Sequence, residues 1–300
     1  MSVPQNKILV IRGGAIGDFI LTLPVLAALR AQFPNTSLEL LGYPHIAQLA
    51  RAGKLVDAVH SIDARPMAGF FARRGTLNPP LADFFASFAI IISYLYDPDR
   101  IFQENVARVS KAQFIAGPHR PDERAGIHAT EVFLEPLKRL AIFDADPVPR
   151  LRIENTLKRE VQLALHPGSG SEKKNWPEAN WRELIQKLSG SRLLLVGGEA
   201  EEGRLERLAE VAPCELARSL PLAQLAARLG ACSLFVGHDS GISHLAAAVG
   251  IPTIVLWGET TEAVWRPLGE HVSLIKDLAN ISVDTVHNAL TAPAIRQQTP

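Results

Sequence analysis

Short apolar runs, each followed by a longer stretch with helical spacing, recur along this chain, and the series starts again after about residue 160. The first series is KILVIR, LELLGY, DAVHSI, AIIISY and QFIAG. The second is QLALHP, RLLLVGG, CELA, SLFVGH and TIVLWG. Most runs are apolar on both faces, which is what a parallel sheet covered by helices on both sides demands. Helical patterns are clearest over 19–32 and 129–140. Between the series lies DADPVPRLRIENTLKRE, whose two prolines and charge shift read as a linker. The expected fold class is α/β: two doubly wound, Rossmann-like parallel-sheet domains, residues 1–155 and 156–300. Ligands of such sheets sit beyond the carboxyl ends of the strands. The expected site is therefore a central cleft faced by both domains.

Composition removes several classes of function. The 31 basic and 31 acidic residues balance, which argues against a nucleic-acid binder driven by a basic surface. Cys214 and Cys232 fit neither a metal spacing nor a disulfide framework, and read as buried thiols of a reducing compartment. The start MSVPQNK lacks an apolar signal core, so export is not expected. No apolar run reaches the roughly 18 residues that span a bilayer. The nearest candidate, 84–96, contains AIIISYLY and reads as a buried strand.

Four strand ends carry candidate chemistry. The first is IRGGAIGDF, where Gly13, Gly14 and Gly17 precede Asp18. The spacing is not G-x-G-x-x-G, and Glu39 falls inside the second strand run rather than at its end, so a nicotinamide or flavin site is disfavoured. Two readings of Asp18 stand: a helix-terminal acid complementing the dipole, or a carboxylate placed to accept a proton, with the glycines allowing a second molecule to approach the backbone. The second is HPGSGSEKKNW, residues 166–176. Ser169 and the glycines suit phosphate oxygens, Lys173 and Lys174 add positive charge, and the alternative is a solvated surface loop. The third is GHDSGISHLAAAVG. Asp239, Ser240 and Gly241 open a helix whose first N–H groups can meet an anion, while Asp239 is alternatively an N-cap and His244 a packing residue. The fourth is GGEAEEGR, where Glu199 or Glu202 either complements a helix dipole or meets a ribose hydroxyl.

Weaker signals are discounted. The D-x-D pairs Asp97–Asp99 and Asp144–Asp146 are common by chance. No histidine spacing suggests zinc, and no nucleophile elbow or P-loop occurs. GFFARRGTLNPP, residues 69–80, is an ordinary loop or, alternatively, a surface for an anionic lipid-linked acceptor.

The motifs GAIGDFILTLPVLAAL, HPGSGSEKKNWPEANWRELI and FVGHDSGISHLAAAVGIPTIVLWG occur in order, and with them the chain resembles glycosyltransferase family nine, the heptosyltransferases of bacterial lipopolysaccharide assembly. The resemblance implies a GT-B fold with the nucleotide sugar held mainly by the second domain. It implies inverting, metal-independent transfer with no cofactor, from ADP-heptose to a glycan or glycolipid acceptor. A cytoplasmic protein is expected, with peripheral contact at the inner membrane left open, and the balanced charge gives no nucleic-acid partner. By the same resemblance Asp18 is the base and Lys174 the cation near the donor. Ser169, Ser240 and Gly241 contact phosphate, and Asp239 is the acid of the third motif. Glu202, with Glu199 as the alternative, meets the ribose, and Leu220 lies beside the adenine. Gly13-Gly14 stands where hydroxyl or charged residues are common in the family. Two other readings remain: a GT-B transferase using a UDP or GDP sugar, and a non-catalytic nucleotide-sugar-binding protein.

Overall fold

The computed structural model describes residues 7–154, 162–201 and 203–291. The chain divides into two units, Met1–Pro147 and Val148–Pro300. The division falls ahead of the expected 155/156 because Leu151 is already part of the second unit. Its N–H donates to Ala248 O at 2.8 Å, and its side chain is buried.

The first unit holds β1 (Lys7–Arg12), β2 (Ser37–Gly42), β3 (Ala58–Ser61), β4 (Ile90–Ser93) and β5 (Gln113–Ala116). They form one sheet in the order β3-β2-β1-β4-β5, with every pair parallel. Consecutive residues Ile8 to Ile11 of β1 are all buried, as a strand covered on both faces requires. Leu9, Ile11, Phe70, Phe85, Ile91 and Phe102 meet in one core. Each such side chain contributes about 1.5–3 kcal/mol when fully buried.

The helix expected over 19–32 is two helices, Ile16–Ile20 and Leu23–Gln32. Pro24 lies in the first turn of the second helix, where its missing N–H is tolerated, whereas within a continuous helix it would break a bond. The pattern over 129–140 likewise becomes an α-helix, Ala129–Leu134, followed by a 3₁₀ stretch, Glu135–Leu140, with Pro136 at the change.

Glu39 lies mid-strand in β2 and not at a ligand-facing end. Its carboxylate meets Lys7 Nζ at 2.9 Å and His60 Nε2 at 2.7 Å. Burial opposes its ionisation, but the hydrogen bonds from Lys7 and His60 hold its pKa below the usual value. This is a structural ion-pair cluster. The D-x-D at Asp97–Asp99 also has a local use: Asp97 accepts from the N–H groups of Phe102 and Gln103 at the start of helix Ile101–Ala107.

The segment 69–75 is a tightly closed turn. Asn105 Nδ2 donates to Phe70 O and Ala72 O at 3.0 and 2.8 Å, and Arg108 donates to Gly75 O at 2.8 Å. A Cβ at Gly75 would lie 2.1 Å from Gly69 O, a backbone atom. Gly75→Ala should therefore force the turn apart and destabilise the first unit by about 1–3 kcal/mol. Urea unfolding followed by far-ultraviolet circular dichroism measures this, and an unchanged midpoint would refute the close approach.

The second unit holds β6 (Gln162–Leu165), β7 (Arg192–Gly197), β8 (Glu215–Arg218), β9 (Leu234–His238), β10 (Thr253–Leu256) and β11 (Val272–Ile275). Its sheet order is β11-β10-β9-β6-β7-β8, again wholly parallel. Strand β11 and the last helix, Val283–Thr291, go beyond the sequence expectation. VSLI is too short a run to stand out, and only its pairing with β10 makes it a strand. Trp176, Trp181, Leu184, Leu205, Val236 and Val286 share the core. Both cysteines are free thiols; Cys232 is buried, and burial raises the pKa of the half-buried Cys214. Among the described residues no helix is long and apolar enough to cross a membrane.

Strand order reverses between β1 and β4 in the first unit and between β6 and β9 in the second. Beyond the carboxyl ends at such a reversal, diverging loops leave a crevice. The segments that follow β1, β6 and β9 carry Asp18, Ser169, Lys174, Asp239 and Ser240.

Candidate functional site

In the first unit, β1 ends at Arg12, and Gly13-Gly14-Ala15 turns the chain into helix Ile16–Ile20. Gly14 has φ +102°, and a Cβ there would sit 3.1 Å from Asp18 Oδ2. Glycine thus serves both the left-handed backbone and the close approach of the carboxylate. Gly13 and Gly17 are half-buried, and Gly17 lies within the helix rather than in the loop. The N-cap is Ala15, and Asp18 sits at the third helical position, where Oδ2 accepts from Ala15 N–H at 3.2 Å. Asp18 therefore does complement a helix start, yet a third of its side chain stays exposed (33%).

Beneath Asp18 lies a residue that the sequence reading passed over as the end of a strand. The Arg12 side chain is 2% exposed, and Nη2 lies 3.9 Å from Asp18 Oδ1. Its guanidinium donates to Asp18 O at 3.2 Å and to His119 O at 2.9 Å, and stacks 4.4 Å from the Phe133 ring centre. Burial lowers its pKa from the usual arginine value, against the opposing pull of Asp18 and Tyr94. A charge closing an otherwise apolar strand run was the available signal.

In the second unit, β6 runs into the loop 166–177. Gly170 has φ +75°. Ser169 Oγ lies 2.8 Å from both Ser171 O and Asn175 Oδ1, so the hydroxyl first organises its own loop. A short 3₁₀ turn, Glu172–Lys174, directs Lys174 Nζ to Asp239 Oδ2 at 2.6 Å. Lys174 is 43% exposed and Asp239 is 10% exposed, so the ammonium stands at the mouth of a nearly buried acid. Asp239 is not the N-cap that one sequence reading allowed. Ser240 fills that position, accepting from Ser243 N–H at 3.4 Å at the head of helix Gly241–Ala248. An N-cap needs its oxygen aimed at the helix start, and the Asp239 carboxylate is turned to Lys174 instead.

The loop is held from both sides. His238, fully buried, accepts from Trp176 N–H at Nε2 (2.8 Å), which leaves Nδ1 protonated to donate to Gly168 O at 3.1 Å. Arg204 donates to Pro167 O at 3.2 Å and to both Glu172 oxygens at 2.9 Å. Buried Glu201 accepts from Gly198 N–H at 2.8 Å, and a Cβ on Gly168 would lie 2.2 Å from its side chain. Sequence reasoning weighed the neighbours of these residues but neither His238 nor Glu201, because Trp176 and Gly168, which they meet, lie far along the chain.

Of the two ribose candidates, Glu199 is exposed at the start of the 3₁₀ turn Glu199–Glu201, and Glu202 lies outside the described residues. Leu220 is half-buried in the loop after β8, next to Ser219, whose N–H donates to Gly197 O at 2.9 Å. His244 is buried in helix Gly241–Ala248. Among the described residues no group of three or more His, Cys, Asp or Glu side chains is placed to hold a metal ion.

The sequence profile of glycosyltransferase family 9 (heptosyltransferase) matches residues 137–288, more than half of the chain. The chain belongs to glycosyltransferase family 9. This member is 42% identical over 141 residues to lipopolysaccharide heptosyltransferase 1 of Escherichia coli K12, covering 44% of each chain. It is 36% identical over 121 residues to lipopolysaccharide heptosyltransferase 1 of Salmonella typhimurium, covering 38% of each. These alignments span less than half the length of either relative. The solved structure of E. coli heptosyltransferase WaaC with ADP matches at a TM-score of 0.75 and 21% identity, covering 95% of this chain and 98% of that one. The family member thus has the GT-B fold class, with two parallel-sheet α/β units.

Proposed function

We propose that the chain is an inverting glycosyltransferase that moves a heptose from ADP-heptose to a hydroxyl of a lipopolysaccharide-core or related glycan acceptor. The observation that carries this reading is the Lys174–Asp239 pair, set at the reversal of the second sheet beside the head of helix Gly241–Ala248. The relatives named above are heptosyltransferases, and one of them was solved with ADP.

In this reading the Asp18 carboxylate takes the proton of the acceptor hydroxyl. The oxygen then bonds to the anomeric carbon on the face opposite the diphosphate. The bond from that carbon to the diphosphate oxygen breaks, and its electron pair leaves as new negative charge on ADP. Lys174, which has three N–H donors, meets that charge together with the first N–H groups of helix Gly241–Ala248. Both are in place before the reaction, so little reorganisation is needed as charge develops. Arg12 holds Asp18 through its backbone carbonyl and carboxylate. Asp239 orients Lys174, joining a half-exposed ammonium to a nearly buried carboxylate.

Calorimetric titration with ADP, UDP and GDP, with EDTA present, tests the donor. ADP-selective binding is expected. Lys174→Ala should weaken it about 10- to 100-fold through the lost charged hydrogen bond, and the melting temperature should fall as well because nearly buried Asp239 loses its partner. Selectivity for UDP or GDP would replace the donor assignment. No nucleotide binding would end it.

A further inference from the structure

The loop 166–177 carries two of the groups assigned to the diphosphate, Ser169 and Lys174, yet it is rich in glycine and largely exposed at its tip. Something must set its shape before the donor arrives. Its tip is shaped locally by Ser169 and flanked by Arg204, but its two ends meet a single side chain from the far side of the sheet reversal. Imidazole His238, the last residue of β9, is 0% exposed and stacks edge-on against Trp181 at 5.5 Å. One ring nitrogen receives the Trp176 N–H, and the other donates to the Gly168 carbonyl. The next residue in the chain, Asp239, receives Lys174.

We propose that His238 is a positioning residue for the donor: held as the Nδ1–H tautomer, it ties both ends of the Gly168–Trp176 loop to the end of β9 and so sets where Lys174 and Ser169 stand against the diphosphate. The inference rests on the donor reading above. It assigns His238 no contact with substrate.

The chemistry of the ring explains why histidine fits. A donor and an acceptor on one rigid plane, a fixed distance apart, are needed to meet the carbonyl of Gly168 and the N–H of Trp176, at opposite ends of the loop. Neutral imidazole supplies both. Burial holds the ring neutral, with a pKa of about 4; the Gly168 hydrogen bond and Asp239 oppose this, while His166 and Arg204 reinforce it. A protonated ring would present N–H groups to both partners and expel Trp176 N–H.

Three variants separate the two links. Glutamine reaches the position of Nε2 and keeps an acceptor for Trp176, two residues from Lys174. Asparagine reaches only the position of Nδ1 and keeps the Gly168 link. Phenylalanine keeps the ring and neither link. ADP affinity should fall on the order of 10- to 100-fold in His238→Phe and His238→Asn, and by only a few-fold in His238→Gln. Donor KM should rise accordingly, with kcat far less affected. A purely structural residue would instead make affinity follow melting temperature across the three. Wild-type protein gives a test free of misfolding: the histidine ring ¹⁵N spectrum should show His238 protonated at Nδ1 only. An Nε2–H tautomer, or folded Phe and Asn variants that bind ADP like wild type, overturns the proposal alone. Failure of wild type to bind ADP, UDP or GDP overturns the donor reading, and the proposal with it.

Discussion

Asp18→Asn is expected to lower turnover by about 10²–10⁴-fold, the usual worth of a general base. Nucleotide affinity should be unchanged. Asparagine is the informative substitution because it separates the helix-start bond of Asp18 from the proposed base role. Its Oδ2 accepts from Ala15 N–H, and an asparagine carbonyl oxygen can do the same. What asparagine cannot do is accept the proton of an acceptor hydroxyl. Asp18→Ala removes both functions and should also cost about 1 kcal/mol of stability through the lost helix-start bond. The measurement is ADP release from ADP-heptose with a lipopolysaccharide-core acceptor, alongside thermal melting of both variants. An asparagine variant that turns over like wild type would return Asp18 to a helix-terminal role.

Acid should destabilise the second unit well before its carboxylates protonate. His166 and His238 are buried, and burial lowers the pKa of each to about 4 from 6.5. In the unfolded chain each ring takes a proton as pH falls through 6.5, while the folded ring stays neutral until about 4. The unfolded state therefore binds more protons throughout that window. The histidine contribution to stability falls as pH drops from 6.5 and is lost by about pH 4, on the order of 3 kcal/mol for each ring. Together that is a large part of the roughly 5–15 kcal/mol of an ordinary domain. All four tryptophans, 176, 181, 257 and 265, lie in the second unit, so their fluorescence follows it alone. Urea midpoints at pH 7.5 and 5.0 should differ strongly in wild type and less in His238→Gln, which has one such ring fewer. An equal acid shift in both proteins would show that His238 is not held neutral by the fold.

The strands were legible because a parallel sheet buries both faces, so each strand is a short unbroken apolar run that needs no tertiary information. Ile8–Ile11 and Leu193–Val196 are such runs, and both are buried strands. VSLI was not legible, since four residues become a strand only by pairing with β10. Turn chemistry was legible too. The glycines next to Asp18 read as room for a second molecule, whereas what Gly14, with its positive φ, accommodates is the Asp18 carboxylate itself. The split of the first helix was written in Pro24, but a helical pattern read by apolar spacing alone runs through it.

By itself the sequence determined the two α/β halves, the strand ends that carry glycine and serine, and the residue types that bring charge there. Periodicity and turn residues act over a few neighbours, and that is where those features reside. Only the tertiary structure decided partners. It set Lys174 on Asp239, 65 residues away in sequence, and gave the N-cap to Ser240 instead of Asp239. It buried Arg12 beneath Asp18 and closed His238 around Gly168 and Trp176. The Lys174 and His238 contacts depend on the sheet order that brings β6 beside β9, and no local pattern encodes which strand will lie next to which.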